Sequence, residues 1–212
     1  MAQSARKTVG VVMFDDVEVL DFAGPYEVLK GARLDEKTRW EMDSPFDVRL
    51  VAQADVVRCH GGMKVVMDHS LDDCPPLDWL VVPGGWGTRR EAGNAALVGW
   101  IRERSRQAAL TASVCTGARL LAAAGVLDGR RATTHWNSLG WLAENYPKVR
   151  VERHMHVVDD GDLVTSAGIS AGIELALSLV ERECGQAVTR SLARYMEYPY
   201  PHDNRRRVEI EG

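Results

Sequence analysis

The chain has 212 residues, 45% hydrophobic and 26% charged, with a formal net charge of −4. That length buries an ample core for one domain, and the acidic balance gives no electrostatic case for a nucleic-acid partner. No apolar run approaches the ~20 residues of a membrane span, and the short run Val9 to Phe14 behind Arg6-Lys7 lacks a small-residue cleavage site, so a cytoplasmic protein without a membrane partner is expected.

In chain order, Thr8 to Phe14 is a continuous apolar run, as a central parallel strand requires. Val19 to Lys30 reads as a helix, broken early by Gly24-Pro25, and residues 33–45 as a polar surface loop. Phe46 to Ala52 is a second strand, and Val56 to Met67, with Gly61-Gly62 inside it, a hairpin. Trp79 to Val82 is a short buried strand ending in Pro83-Gly84-Gly85. Asn94 to Arg106 is a helix with Ala96, Leu97, Trp100 and Ile101 on one face. A strand ending at Cys115 and an Ala/Leu helix follow. Next come a strand at Arg131 to Thr134, a helix at Asn137 to Tyr146, and strands at Val149 to Val158 and Leu163 to Ser166. The chain closes with helices at Ser170 to Glu183 and Gln186 to Met196. This alternation predicts one α/β domain over 1–212, with a core of about 8–196, a tail 197–212, and a mostly parallel central sheet with helices on both faces. Arg205-Arg206-Arg207 read as part of a solvated tail.

Four cysteines, Cys59, Cys74, Cys115 and Cys184, form no C-x-x-C pair and match no zinc spacing. A reducing compartment is expected, with no metal and no cofactor. Cys115 is distinguished by its place in Leu110-Thr111-Ala112-Ser113-Val114-Cys115-Thr116-Gly117. An apolar strand ends at the cysteine, a small turn follows, and a helix starts at once, which is a nucleophile elbow carrying sulfur. The amides and positive dipole end of that helix favour thiolate there. The other reading of Cys115 is a buried structural cysteine.

A thiolate needs a proton partner and donors for developing charge. Asp21 sits among apolar residues at the first strand–helix junction, where desolvation raises a carboxyl pKa; the alternative is a helix N-cap. Asp15, Asp16 and Glu18 read as solvated. Gly85 with the Thr116 amide is expected to form an oxyanion-type pocket. Gly84, Trp86, His135 and Trp136 follow strand ends and are expected to line it. His135 is read either as a base or charge partner of Cys115 or as a structural histidine. Glu152, His154 and His156 alternate along a predicted strand and read as a solvated face rather than as metal ligands.

Together, Val17-Glu18-Val19-Leu20-Asp21-Phe22-Ala23-Gly24-Pro25, Cys74-Pro75-Pro76-Leu77-Asp78, Pro83-Gly84-Gly85, Thr111 to Gly117, Gly129 to Trp136 and Ala167-Gly168-Ile169-Ser170-Ala171-Gly172-Ile173 resemble the ThiJ/PfpI superfamily. The resemblance runs from about Thr8 to Met196. It implies a flavodoxin-like, class I glutamine-amidotransferase-like fold, and within the superfamily the chain is most similar to isonitrile (isocyanide) hydratases. That similarity implies Cys115 as nucleophile, Asp21 as general acid and base, Thr116 as a third catalytic residue, and Gly168 and Ile169 as part of a segment bordering the site. It also implies a small-molecule substrate and a homodimer. Threonine, not histidine, follows the cysteine, which speaks against the protease-like branch, and Asp21 stands where other branches carry glutamate.

The chain also resembles the amidotransferase-like domains of AraC-type regulators through Cys115, His135-Trp136 and the last helices, although no helix-turn-helix follows Tyr198-Pro199-Tyr200-Pro201 here. A non-catalytic ligand-sensing domain is therefore a second reading, and a redox or stress-response thiol a third. Both the hydratase and the redox readings expect an acidic thiol.

Overall fold

The structure, a computed structural model, describes residues 6–200 and 203–210. Strands β1 (Lys7–Val12), β2 (Phe46–Ala52), β3 (Val56–Arg58), β4 (Lys64–Val66), β5 (His69–Ser70), β6 (Trp79–Val82), β7 (Leu110–Val114), β8 (Arg131–Ala132), β9 (Arg150–Val151), β10 (Val157–Asp159) and β11 (Leu163–Ser166) alternate with helices α1 (Val19–Gly31), α2 (Thr88–Glu91), α3 (Ala95–Gln107), α4 (Gly117–Ala123), α5 (Leu139–Asn145), α6 (Ala171–Cys184) and α7 (Gln186–Tyr195). Seven strands form one sheet in the order β10-β11-β7-β6-β1-β2-β5, with only β10 antiparallel to its neighbour. β3 and β4 form the expected hairpin.

Every residue of β6 and β7 is buried, so both faces of the sheet are covered. The cause is connectivity. From β1 the chain crosses to β2 in one direction along the sheet, whereas from β6 it crosses to β7 in the other. Right-handed crossovers therefore place α1 and α3 on opposite faces. α1 packs with α6 and α7, and α4 with α2 and α3. Side chains such as Phe46, Leu80, Ile101, Leu120 and Leu179 fill the space between. The reversal between β1 and β6 opens a crevice beyond the carboxyl ends of the central strands.

Several elements depart from the sequence expectation. Pro25 lies inside α1 and does not break it. The proline gives up one backbone hydrogen bond, but Phe22, Gly24, Val28 and Leu29 are buried in the α1 packing, which holds the helix together. The strand predicted at Val149 to Val158 is two short strands, β9 and β10, joined by irregular chain. Glu152, His154 and His156 consequently share no face: Glu152 pairs with Arg131 at 2.8 Å, His154 is exposed, and His156 is buried 3.6 Å from Glu174.

The tail is not simply solvated. Asn204 accepts from the His156 amide at 2.9 Å, the Arg206 amide donates to His154 at 2.8 Å, and Arg207 pairs with Glu174 at 2.8 Å. Arg206 also donates to Thr133 Oγ1 at 2.6 Å and to the Thr134 carbonyl at 3.0 Å. These contacts fasten the tail beside the strand end that follows the elbow. Residues 201–202 and 211–212 of the predicted tail lie outside the described residues.

Leu80, fully buried in β6, supports the loop that carries Gly84. Leu80→Ala is expected to lower the unfolding free energy by about 2–5 kcal/mol, read from urea denaturation; a cost near zero would contradict the packing described here.

Candidate active site

β7 delivers Cys115 to the crevice. The backbone there turns sharply, with Cys115 at φ 56°, a left-handed conformation that costs a non-glycine residue on the order of 1 kcal/mol or more. The surroundings hold it: the Cys115 amide donates to the Ser166 and Ala167 carbonyls at 3.2 Å each, and its carbonyl accepts from Thr134 Oγ1 at 2.7 Å. Thr116 is the N-cap of α4, as the elbow reading requires. Gly168 stands against the sulfur, because a Cβ at that position would come within 2.5 Å of Cys115 Sγ and 2.8 Å of His135 Cδ2.

Asp21 lies in the first turn of α1 with no solvent exposure. One carboxyl oxygen, Oδ2, accepts from the Gly84 amide at 3.0 Å, an approach that only glycine permits, since a Cβ there would lie 2.7 Å from that same oxygen. The other oxygen, Oδ1, is buried without a formed hydrogen bond. The carboxyl also interacts with the Cys115 thiol.

Burial pushes the Asp21 pKa up to about 8, aided by the negative charge of Glu18 and opposed by the interactions with Cys115 and Gly84. Burial also pushes the Cys115 thiol well above its ordinary range; the Asp21 charge adds to this and the Thr116 amide opposes it. The expected acidic thiol is therefore corrected. One amide at the start of a seven-residue helix does not offset removal of the sulfur from water. The resting pair holds its protons.

Thr116 and Gly85 form a clasp. The Gly85 amide donates to Thr116 Oγ1 at 2.9 Å, and that hydroxyl donates back to the Gly85 carbonyl at 3.2 Å. This corrects the expected oxyanion pocket: the Gly85 amide is already engaged, and the Thr116 amide serves the sulfur.

A cavity of about 140 Å³ is lined by Cys115, Thr116, Gly85, Trp86, His135 and Ile169, as anticipated, and also by Glu18, Arg89, Asn137 and Ser138. Gly84 contacts Asp21 rather than the cavity. Trp136 is likewise outside the lining and packs on His135, with ring centroids 5.6 Å apart. Among the described residues no hydrogen bond joins His135 to Cys115. His135 Nδ1 instead accepts from the Asn137 amide at 3.4 Å, and burial, then the charges of Arg206 and Arg89, hold its pKa below the ordinary value. His135 is thus a neutral wall. Arg89 escaped the sequence reading because it lies on α2, a helix too short to show periodicity; Asn137 and Ser138 follow His135 but carry no pattern of their own. A larger cavity of about 370 Å³ lies between α6 and the tail, but no thiol lines it.

An elbow cysteine facing a buried acid at the carboxyl edge of a mostly parallel sheet defines a class, and sequence comparison specifies it. The chain belongs to the DJ-1/PfpI family, whose profile matches residues 7–182. It is 36% identical over 194 residues to isonitrile hydratase from Pseudomonas putida, covering 90% of this chain and 78% of that protein. It is 38% identical over 136 residues to the HTH-type transcriptional regulator CdhR of Pseudomonas aeruginosa, covering 64% of this chain but only 40% of the regulator. Among solved structures, a THiJ/PfpI family protein from Pseudomonas syringae superposes with a TM-score of 0.81 at 28% identity, covering 94% of this chain and 78% of that one. No helix among the described residues is long and apolar enough to cross a membrane.

The raised Asp21 pKa sets a sign for stability. The unfolded carboxyl loses its proton near 3.8 and the folded one only near 8, so stability is complete below the lower value and declines up to the higher one. Asp21→Asn is expected to gain stability over the native chain as pH rises from 4 to 8, by urea denaturation. A constant difference across that window would mean that the carboxyl is solvated. Above pH 8, where Asp21 is ionised, the same substitution removes the negative neighbour of the thiol, so Cys115 alkylation at pH 9 is expected to accelerate; an unchanged rate there would mean that the two groups do not interact.

Proposed function

We propose that this protein is a cysteine-dependent hydratase that converts isocyanides to N-substituted formamides. The observation that carries the reading is the buried Asp21–Cys115 pair, in which both groups keep their protons until substrate arrives. The terminal isocyanide carbon both accepts a nucleophile and takes up a proton. Sulfur forms a bond to that carbon, Asp21 donates its proton to the same carbon, and the thiol proton passes to the Asp21 carboxylate. The product is a thioimidate in which carbon is bonded to sulfur, hydrogen and nitrogen.

Water then adds to the thioimidate carbon as Asp21, carrying the former thiol proton, gives it to the nitrogen and takes one from the water. The carbon–sulfur bond breaks as the new hydroxyl on carbon becomes the formamide carbonyl and its proton passes to sulfur, and the formamide leaves with both thiol and acid protonated again. One isocyanide and one water give one formamide, with no oxidant, reductant or cofactor in the balance. The Thr116–Gly85 clasp and the Gly84 amide position the sulfur and the acid, and the small cavity limits water near them. The raised thiol pKa removes the acidic thiol that both the hydratase and the redox readings expect; the hydratase reading stands without it because Asp21 takes up the thiol proton as sulfur attacks, whereas a redox sensor depends on an accessible thiolate. The reading includes a cytoplasmic homodimer acting on a small molecule.

Incubation with a panel of alkyl and aryl isocyanides is expected to yield the formamides. Cys115→Ala is expected to abolish turnover, and Asp21→Asn to lower kcat/KM by about 10²–10⁴-fold. No formamide from any member of the panel would reject the substrate assignment. A ligand-sensing role is the second reading, favoured by the identity to CdhR over 64% of the chain; saturable binding of a metabolite that emerges chemically unchanged would support it.

A further inference from the structure

Arg89 is the one guanidinium that lines the cavity holding Cys115. Its neighbour Arg90 is committed, pairing with Glu91 at 2.8 Å and Asp16 at 3.3 Å. Arg89 makes no salt bridge and no side-chain hydrogen bond among the described residues. Its guanidinium instead lies over the Trp86 ring, 4.4 Å from the centroid, a contact that leaves its N–H groups without an acceptor among the described residues. Two further cations lie outside the lining but near it. Arg119, whose pKa is lowered in part by the Arg89 charge, lies over Trp141 at 3.2 Å with its Nε buried and unpartnered, and Arg206, anchored on Thr134, acts with Arg89 on His135. Glu18 also lines the cavity, close to Asp21. The lining thus holds one carboxylate, Glu18, and one guanidinium, Arg89.

We propose that Arg89 is a specificity determinant that receives the carboxylate of the substrate, so the site takes isocyanides that carry a carboxylate a few atoms from the isocyano nitrogen. The isocyanide part of this inference rests on the hydratase reading; the anion preference does not. An isocyano group has formal positive charge on nitrogen and negative charge on its terminal carbon. With that carbon at Cys115, a carboxylate a few atoms away reaches the Arg89 guanidinium in the same lining, a planar donor fork that binds it in bidentate fashion. Hydration of such a compound yields an N-formyl amino acid or a close homologue.

Two measurements separate the parts. Alkylation of Cys115 by iodoacetate and by iodoacetamide, followed at the peptide level, reports the charge preference of the cavity without any turnover. Relative to the same ratio in the urea-unfolded chain, the folded protein is expected to favour iodoacetate by about fivefold, the size of one solvent-accessible ion pair. Arg89→Gln is expected to remove the preference, Arg89→Lys to retain part of it, and potassium chloride to weaken it in the native chain. Arg89 is exposed, so the glutamine variant is expected to melt as the native chain does; should it not, the lysine variant and the salt titration carry the same test. A folded-state ratio no greater than the unfolded one, or a preference undiminished in Arg89→Gln, overturns the anion site. Turnover of isocyanoacetate against its methyl ester then tests the substrate class: a higher kcat/KM for the carboxylate, lost in Arg89→Gln, supports it, and a preference for the ester overturns it. Failure of both compounds alongside an intact alkylation preference counts against the hydratase reading and leaves the anion site standing.

Discussion

Removal of water from one carboxyl governs this site. Asp21 has no exposed surface, and its burial alone keeps a proton where an aspartate normally has none. The neighbouring arrangements depend on that condition. Gly84 brings a backbone amide to one carboxyl oxygen, so that the acid is oriented without being ionised. Cys115 stands against the same carboxyl, in a backbone conformation that its sequence neighbours alone would not favour. The hydroxyl of Thr116 ties the two loops by engaging both the amide and the carbonyl of Gly85.

This arrangement differs from an activated thiolate. A helix N-terminus beside a partly exposed sulfur favours ionisation, but here removal of the sulfur from water outweighs the amide and hydroxyl of Thr116, and a second acid close by disfavours another negative charge. On the proposed hydratase reading, such a site acts only on a molecule that can take a nucleophile and a proton together. The same architecture serves a binding protein equally well if its ligand offers no carbon of that kind, which explains how one cradle is compatible with relatives described as a hydratase and as a transcriptional regulator.

Local patterns revealed the short elements that turn residues bound. The strand at Phe46–Ala52 was legible although Asp47 and Arg49 interrupt its apolar residues, and the boundaries of Trp79–Val82 and Leu163–Ser166, buried at every residue, were legible because each is a short run of apolar and small residues bounded by turns. The elbow was legible for the same reason, with Cys115 at the end of such a run. Where packing or long-range pairing overrides local preference, the reading failed. Pro25 continues a helix because α6 covers it, and the chain from Val149 to Val158 splits into two strands because β9 pairs with β8 while β10 pairs with β11. Arg206 reaches Thr134 across 72 positions of sequence, a distance over which no local signal operates.

The amino-acid sequence by itself determined the alternating α/β order and the elbow, and it singled out Cys115 and Asp21 as candidates, because those follow from hydrophobic runs, turn residues and short motifs. Only the tertiary structure decided the burial that raises the pKa of both groups, the engagement of the Gly85 amide and the presence of Arg89 in the cavity. Each of these depends on what surrounds a group in space: water excluded from a carboxyl, a hydroxyl arriving from 31 positions away, and a guanidinium left without an acidic partner.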